Sequence, residues 1–386
     1  MRHVEAERRN PSSFQPGDIT ALRAHPAELA LPGTDLSGSA TPVRDLAPGA
    51  RILIVSDAWH PQVNGVVRTL STVAEHLRRC GDAVEVIGPD RFRTVPLPFY
   101  PEIRLALGQR RSLAALVDRF APDALHIATE GPLGWAARAL CRARGWPFTT
   151  SFHTMFPDYL HVRARVPRSL SWSVLRRFHA PATATLAATT SLLRELDARG
   201  FRRLRRWSRG VDLDRFRPAP REPWADLPRP VFLYAGRVAV EKNLEAFLSL
   251  DLPGSKVVVG DGPHRAALEA RFPAARFTGF RSNGSLSAAY AGADVFVFPS
   301  RTDTFGLVLL EALACGTPVA AHPVTGPLDV LGGAAERVGM LDEDLRAACL
   351  SALDADREAC RRHAATWSWD ACAAQFRDTL APIHAS

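Results

Sequence analysis

Lysine is nearly missing from this chain: of its 48 basic residues only Lys242 and Lys256 are lysine, the rest being arginine. Long apolar runs are missing as well, and none approaches the roughly 20 residues that a membrane span requires. The opening stretch MRHVEAERRN has no apolar core of the kind found in secretory signals, which argues against export. The six cysteines (Cys80, Cys141, Cys315, Cys349, Cys360, Cys372) have no paired spacing of the metal or redox type and read as reduced, small core residues of a cytosolic protein. Gly260-Asp261-Gly262 is followed by no third glycine, and the next strand does not end on an acid, so a nicotinamide dinucleotide is disfavoured. Asp212 and Asp214 form an Asp-x-Asp pair, but no apolar strand precedes it, so no metal is expected there.

A length of 386 residues, with 46% hydrophobic and 23% charged residues, suits a soluble protein of two domains. The formal charge is +8, and its distribution is uneven. Residues 151–228 hold 15 arginines, no lysine and seven acids, so the whole excess falls there. A one-sided basic face points to a phosphate-rich surface, anionic lipid or nucleic acid, or else to a solvated face in an arginine-rich chain.

Short apolar runs near residues 51–56, 83–88, 124–128 and 148–151 alternate with helical patterns near 66–79, 112–119 and 133–144. The plan repeats after residue 231, with strands at 231–235 and 256–260. Such alternation predicts parallel sheets covered on both faces, in two Rossmann-like, doubly wound α/β domains.

The chain is organised around residues 293–322, ADVFVFPSRTDTFGLVLLEALACGTPVAAH. Residues 295–298 predict a buried strand, and Leu307 to Ala314 a helix whose free N–H groups open beside Gly306. Glu311 sits among leucines, where a carboxylate needs donors; a ribose diol would supply two. Asp303 lies at the carboxyl end of the strand, where open α/β sheets hold ligands. In the second repeat Arg237 and Lys242 occupy a corresponding position, and a compact ammonium suits a diphosphate oxygen. In the first repeat His153 follows the strand ending near Phe152. Asn64 is placed to cap the first helix, with Gly65 letting backbone N–H groups approach an anion.

Together these residues resemble the retaining, nucleotide-sugar-dependent glycosyltransferases of family four, which share the two-domain glycosyltransferase-B fold. That family carries two glutamates with seven residues between them across this loop and helix. Here Asp303 and Glu311 keep the spacing, with the first acid shortened by one methylene, and Asn64 stands where the family often has a first glycine. The resemblance implies a catalytic set of His153, Asp303, Arg237 and Lys242. It also implies a donor site of Gly65, Arg237, Lys242, Asp303, Gly306, Leu307 and Glu311. In that reading Arg237 and Lys242 neutralise the leaving diphosphate, Asp303 touches the donor sugar and Glu311 the ribose. The co-substrate is a nucleotide sugar, with no cofactor and no metal expected.

The expected layout is a poorly ordered arm (1–49), an acceptor domain (50–209), a nucleotide-sugar domain (210–365) and a C-terminal helix (366–386) crossing back onto the first domain. Within the family, FPSRTDTFGLVLLEALACGTPVAA and AWHPQVNGVVRTL look most like the branch that glycosylates diacylglycerol, and a UDP-sugar is the expected donor. The alternative is a mannosyltransferase acting on phosphatidylinositol or a cell-envelope polysaccharide. A non-catalytic nucleotide-sugar-binding or nucleic-acid-binding protein is the rival of another class, although no nucleic acid is expected as partner. Trp172, Leu175 and Phe178 interleave with Arg163, Arg165, Arg168, Arg176 and Arg177. A surface that meets lipid headgroups has that pattern, and so does a core-facing helix with its arginines outside; the expectation drawn from the basic segment is a cytoplasmic enzyme docked on the inner, anionic face of the membrane, where a lipid acceptor is found.

Overall fold

Runs of β-branched and aromatic residues, four or five long and bounded by glycine, proline or cap residues, become strands buried on both faces. The computed structural model describes residues 46–384 apart from 63, 98–99, 156, 158–164 and 221. Arg163 and nearly all of the expected N-terminal arm lie outside the described residues.

The first sheet contains β1 (Arg51–Val55), β2 (Ala83–Ile87), β5 (Ala124–Ile127), β6 (Thr149–Phe152), β7 (Ala184–Ala187) and β8 (Leu204–Arg206), in the order β2-β1-β5-β6-β7-β8. All its pairings are parallel. A small antiparallel hairpin, β3 (Thr94–Leu97) and β4 (Tyr100–Ala106), stands beside it. The connecting helices are α1 (Gly65–Arg79), α2 (Arg110–Phe120), α3 (Pro132–Arg144), α4 (Arg168–His179) and α5 (Thr190–Ala198).

The second sheet contains β9 (Val231–Ala235), β10 (Ser255–Val259), β11 (Arg276–Gly279), β12 (Val295–Phe298), β13 (Val319–Ala321) and β14 (Gly339–Leu341), in the order β11-β10-β9-β12-β13-β14. It is also parallel throughout. Its helices are α6 (Leu244–Leu248), α7 (Arg265–Arg271), α8 (Asn283–Gly292), α9 (Leu307–Ala314), α10 (Thr325–Leu331), α11 (Leu345–Ala352) and α12 (Arg357–Ala364). The strand order reverses between β1 and β5 in the first sheet and between β9 and β12 in the second. Ligands of open α/β sheets bind at such switch points, and here the loops after β9 and β12 carry Arg237, Lys242 and Asp303.

The last helix, α13 (Trp369–Thr379), returns to the first sheet. Phe376 is fully buried there, with its ring 5.1 Å from that of Trp207. The Trp207 indole donates to the Cys372 carbonyl at 3.1 Å, and Arg377 Nε donates to Asp82 Oδ2 at 2.8 Å. Gly210 is what lets the connecting chain pass: a Cβ at this position would stand 2.3 Å from the Trp369 nitrogen. Burying each large side chain of this seam contributes about 1.5–3 kcal/mol, so the crossing helix ties the two halves together. Five of the six cysteines are buried, as a core role requires, whereas Cys80 is exposed.

Candidate active site

The loop after β12 carries the acid expected to face the sugar. Asp303 Oδ1 accepts from Lys242 Nζ at 2.5 Å, an ion pair whose side chains are only 17% and 21% exposed. Asp303 Oδ2 and Thr302 Oγ1 are buried with no hydrogen-bond partner among the described residues. Both belong to a cleft of about 180 Å³ lined from the first half by Met155, Leu192 and Glu195 and from the second by residues 301–304 and Thr325. A buried carboxylate oxygen without a donor costs on the order of 1–3 kcal/mol, and a sugar hydroxyl placed in the cleft would offset it. Asp303 is thus a lysine partner. Gly306 takes the cap position of α9 with φ +86 and no side-chain cap.

The opposite loop is fixed from below. Tyr234 Oη donates to the Arg237 carbonyl at 2.8 Å, and the amide of Asn243, itself at φ 54, donates to the Pro299 carbonyl at 3.2 Å. These contacts hold the Arg237–Lys242 loop against the Asp303 loop. Burial pushes the Tyr234 hydroxyl above its ordinary value, so it remains a donor at neutral pH.

Glu311 is buried, as its leucine neighbours require, but the donors it needs come from protein. Arg68 Nη1 on α1 donates to Oε1, and Tyr290 Oη donates to Oε2 at 3.1 Å. Burial, with Glu311 beside it, raises the Tyr290 hydroxyl well above its usual range, and it too stays protonated. Arg68 and Tyr290 thus supply the donors that its burial calls for. Arg68 also lies 5.3 Å from the centre of the Phe216 ring. This pair joins the two halves, and it was missed because nothing in sequence places residues 68 and 311 together.

Asn64 caps α1 as expected, accepting from the Val66 and Val67 amides at 3.0 Å. Gly65, next to it, faces Leu307 across the cleft, since a Cβ there would lie 3.9 Å from Leu307 Cδ1. His153 follows β6, and its carbonyl accepts from Thr304 Oγ1 at 2.7 Å. Its Nε2 meets Ser151 Oγ at 2.9 Å, and its Nδ1 meets Arg209 Nη2 at 3.4 Å. Burial first, then the neighbouring Arg209 charge, drives its pKa well below the ordinary histidine value. The structure therefore pairs Lys242 with Asp303 at the cleft, sets the His153 carbonyl against Thr304 in its lining, and brings Gly65 near Leu307 and Arg68 to Glu311 between the two halves, with Arg237 following β9.

Other readings change. Trp172, Leu175 and Phe178 are buried, Phe178 completely, and they pack against the first sheet; they cannot meet lipid. The exposed apolar residues of α4 are instead Leu170 and Val174. Near its end, Arg176, Arg177, Arg202 and Arg203 line a separate groove of about 290 Å³. Asp212 makes a turn, its Oδ1 accepting from the Asp214 and Arg215 amides at 3.1 and 2.9 Å. Among the described residues no group of three or more His, Cys, Asp or Glu side chains could hold a metal ion.

Residues 63–215 match the family described as Glycosyltransferase Family 4, and residues 229–354 match Glycosyl transferases group 1. A GDP-mannose-dependent alpha-mannosyltransferase of Mycobacterium tuberculosis (strain CDC 1551 / Oshkosh) is 35% identical over 323 residues, covering 76% of this chain and 84% of its own. The chain is a family-4 glycosyltransferase. As a member it is a nucleotide-sugar-dependent transferase of a retaining family. A more distant relative, the alpha-monoglucosyldiacylglycerol synthase of Streptococcus pneumoniae (strain ATCC BAA-255 / R6), is 26% identical and covers 70% of this chain and 71% of its own. The glycosyltransferase-B fold is shown by similarity to the sucrose-phosphate synthase from Thermosynechococcus elongatus, with a TM-score of 0.70, 18% identity and coverage of 85% and 97% of the two chains.

Proposed function

We propose that this glycosyltransferase moves mannose from GDP-mannose to a hydroxyl of a lipid acceptor, with retention of configuration. The observation that carries the choice of mannose is the similarity over three quarters of the chain to the mycobacterial GDP-mannose-dependent alpha-mannosyltransferase. It favours the mannosyl alternative over the UDP-sugar and diacylglycerol reading, whose relative is less similar. A lipid acceptor is supported by a mannosyltransferase of Mycobacterium tuberculosis (strain ATCC 25177 / H37Ra) named for phosphatidylinositol dimannoside, 30% identical over 223 residues.

In this reading the cleft works by charge placed in advance. Arg237 and Lys242 stabilise the negative charge that grows on the departing diphosphate, a role worth several kcal/mol in a water-poor site. Asp303, whose Oδ2 has no partner among the described residues, accepts from a sugar hydroxyl. Glu311 accepts from the ribose by exchanging or sharing the donors it now has. The acceptor enters from the side of the first sheet, past Met155 and Glu195. Among the described residues no helix is long and apolar enough to cross a membrane. Peripheral docking on anionic lipid is therefore proposed through the exposed face of α4 and the arginine groove at its end.

The test is a matrix of donors and acceptors. Purified protein is given GDP-mannose, UDP-glucose or UDP-galactose, with vesicles carrying phosphatidylinositol or diacylglycerol, and both nucleotide release and glycolipid are measured. GDP release with formation of a mannolipid is expected. UDP release with a glucosylated diacylglycerol would overturn the proposal in favour of the other branch.

A further inference from the structure

Behind His153 runs a line of polar side chains inside the first sheet. His126, on β5, is fully buried; its Nδ1 lies 2.9 Å from Thr149 Oγ1 and its Nε2 lies 3.0 Å from Ser151 Oγ. Ser151 Oγ also lies 2.9 Å from His153 Nε2 and 3.2 Å from the Ala128 carbonyl. Arg209, buried and held by the Trp207 and Ser208 carbonyls at 2.7 and 2.8 Å, closes the line at His153 Nδ1.

Counting protons decides how this line is wired. A serine hydroxyl has one proton to give and two lone pairs with which to accept. The Ala128 carbonyl can only accept, so it takes the Ser151 proton. Both imidazoles must then donate to Ser151 through Nε2–H. That leaves His126 Nδ1 to accept from the Thr149 hydroxyl and His153 Nδ1 to accept from Arg209, whose guanidinium can only donate. The opposite assignment, with Ser151 donating to His153, would put an Nδ1–H against the Arg209 N–H and strip the Ala128 carbonyl of this donor. Only one pattern uses every contact.

We propose that Ser151 is a positioning residue: held between His126 and the Ala128 carbonyl, it fixes His153 as the Nε2–H tautomer with Nδ1 turned to Arg209. Among the described residues the charged and titratable groups that act on His153 are Arg209, His126 and His179, none of them an acid, so none of these favours an imidazolium. His153 therefore meets the cleft as a neutral ring with both nitrogens engaged, and its carbonyl is pinned by Thr304. It shapes the sugar site and does not carry protons through it. The consequence for turnover rests on the transferase reading above, whereas the tautomer does not.

The experiment has two arms on the full-length protein. Nitrogen-15 spectra of the histidine rings, assigned with His153→Asn, are expected to show His126 and His153 neutral and protonated on Nε2 from pH 6 to 8.5. Ser151→Ala should shift His153 to mixed tautomers and lower kcat by about 10- to 100-fold, as small misplacements near a reacting centre do, with donor KM changed less than about threefold. Ser151→Thr, which keeps the hydroxyl, should retain the tautomer and most of the turnover. A wild-type His153 protonated on Nδ1 or charged at pH 7 overturns the proposal, even if Ser151→Ala does not fold. Equal losses in the Ala and Thr variants also overturn it, by showing a purely structural residue. If GDP-mannose is not turned over by wild type, the mannosyl reading fails while the spectra still decide the wiring.

Discussion

Replacing Arg68 by alanine would leave the Glu311 carboxylate, 3% exposed, with Tyr290 as its remaining donor. Removing one partner of a fully buried ion pair costs roughly 3–5 kcal/mol, because a charge is stranded away from water. Arg68 is itself 33% exposed, so water reaches the pair and the cost falls to about 2 kcal/mol. Loss of the guanidinium from the Phe216 ring adds about 0.5 kcal/mol. The expected destabilisation of Arg68→Ala is thus about 2–3 kcal/mol, while Glu311→Gln, which keeps the shape and removes the charge, should cost less. Denaturant midpoints of wild type, both single variants and the double variant would close a thermodynamic cycle, with an expected interaction energy of about 1–2 kcal/mol. Because donor ribose is proposed to use the same carboxylate, GDP-mannose should stabilise Arg68→Ala more than it stabilises wild type. Single variants that add without interaction would refute the pairing, and equal stabilisation by donor would refute the shared use of Glu311.

Lys242→Ala should lower kcat by about a hundredfold or more without unfolding the protein, since one contact to developing charge is worth roughly 3 kcal/mol; steady-state kinetics with near-normal turnover would remove the diphosphate role. Stability should fall on acidification, because burial holds the His126 pKa down to about 3 and the unfolded chain takes up that proton below its ordinary value. The contribution is complete above pH 6.5 and about 2 kcal/mol of it is lost by pH 5, which thermal melts across that range would detect. Vesicle sedimentation should show salt-sensitive binding to anionic but not neutral lipid. Changing Arg176, Arg177, Arg202 and Arg203 to serine should abolish it, and unchanged binding would clear that groove of any role.

The strands and helices were legible where periodicity and punctuation agree. The central unit is the clearest case: β12, Gly306, α9 and β13 fall where the residues predict them, because Pro299, Gly306, Gly316 and Pro318 mark every joint. Asp303, Lys242 and His153 could be placed near the cleft because each follows a buried strand in a doubly wound sheet. What could not be read was pairing across the cleft, since Arg68 with Glu311 and Thr304 with His153 depend on how two sheets face each other. The apolar residues of α4 were misread for a related reason. Trp172, Leu175 and Phe178 have the spacing of one helix face, and spacing alone does not say whether that face meets lipid or a sheet. Arg209 and His126 gave no local signal at all, as buried polar residues whose side-chain partners lie in β6 for His126 and at His153, just beyond it, for Arg209.

The most direct test of the account is the stereochemistry and lysine dependence of the product. Full-length protein would be incubated with GDP-mannose and acceptor vesicles, and the one-bond carbon–proton coupling at the new anomeric centre read by NMR, for wild type and Lys242→Ala. The account predicts an α-linked mannolipid from wild type, keeping the configuration of the donor, and little or none from Lys242→Ala. A β-linked product, or an α-linked product formed equally well by Lys242→Ala, would contradict it.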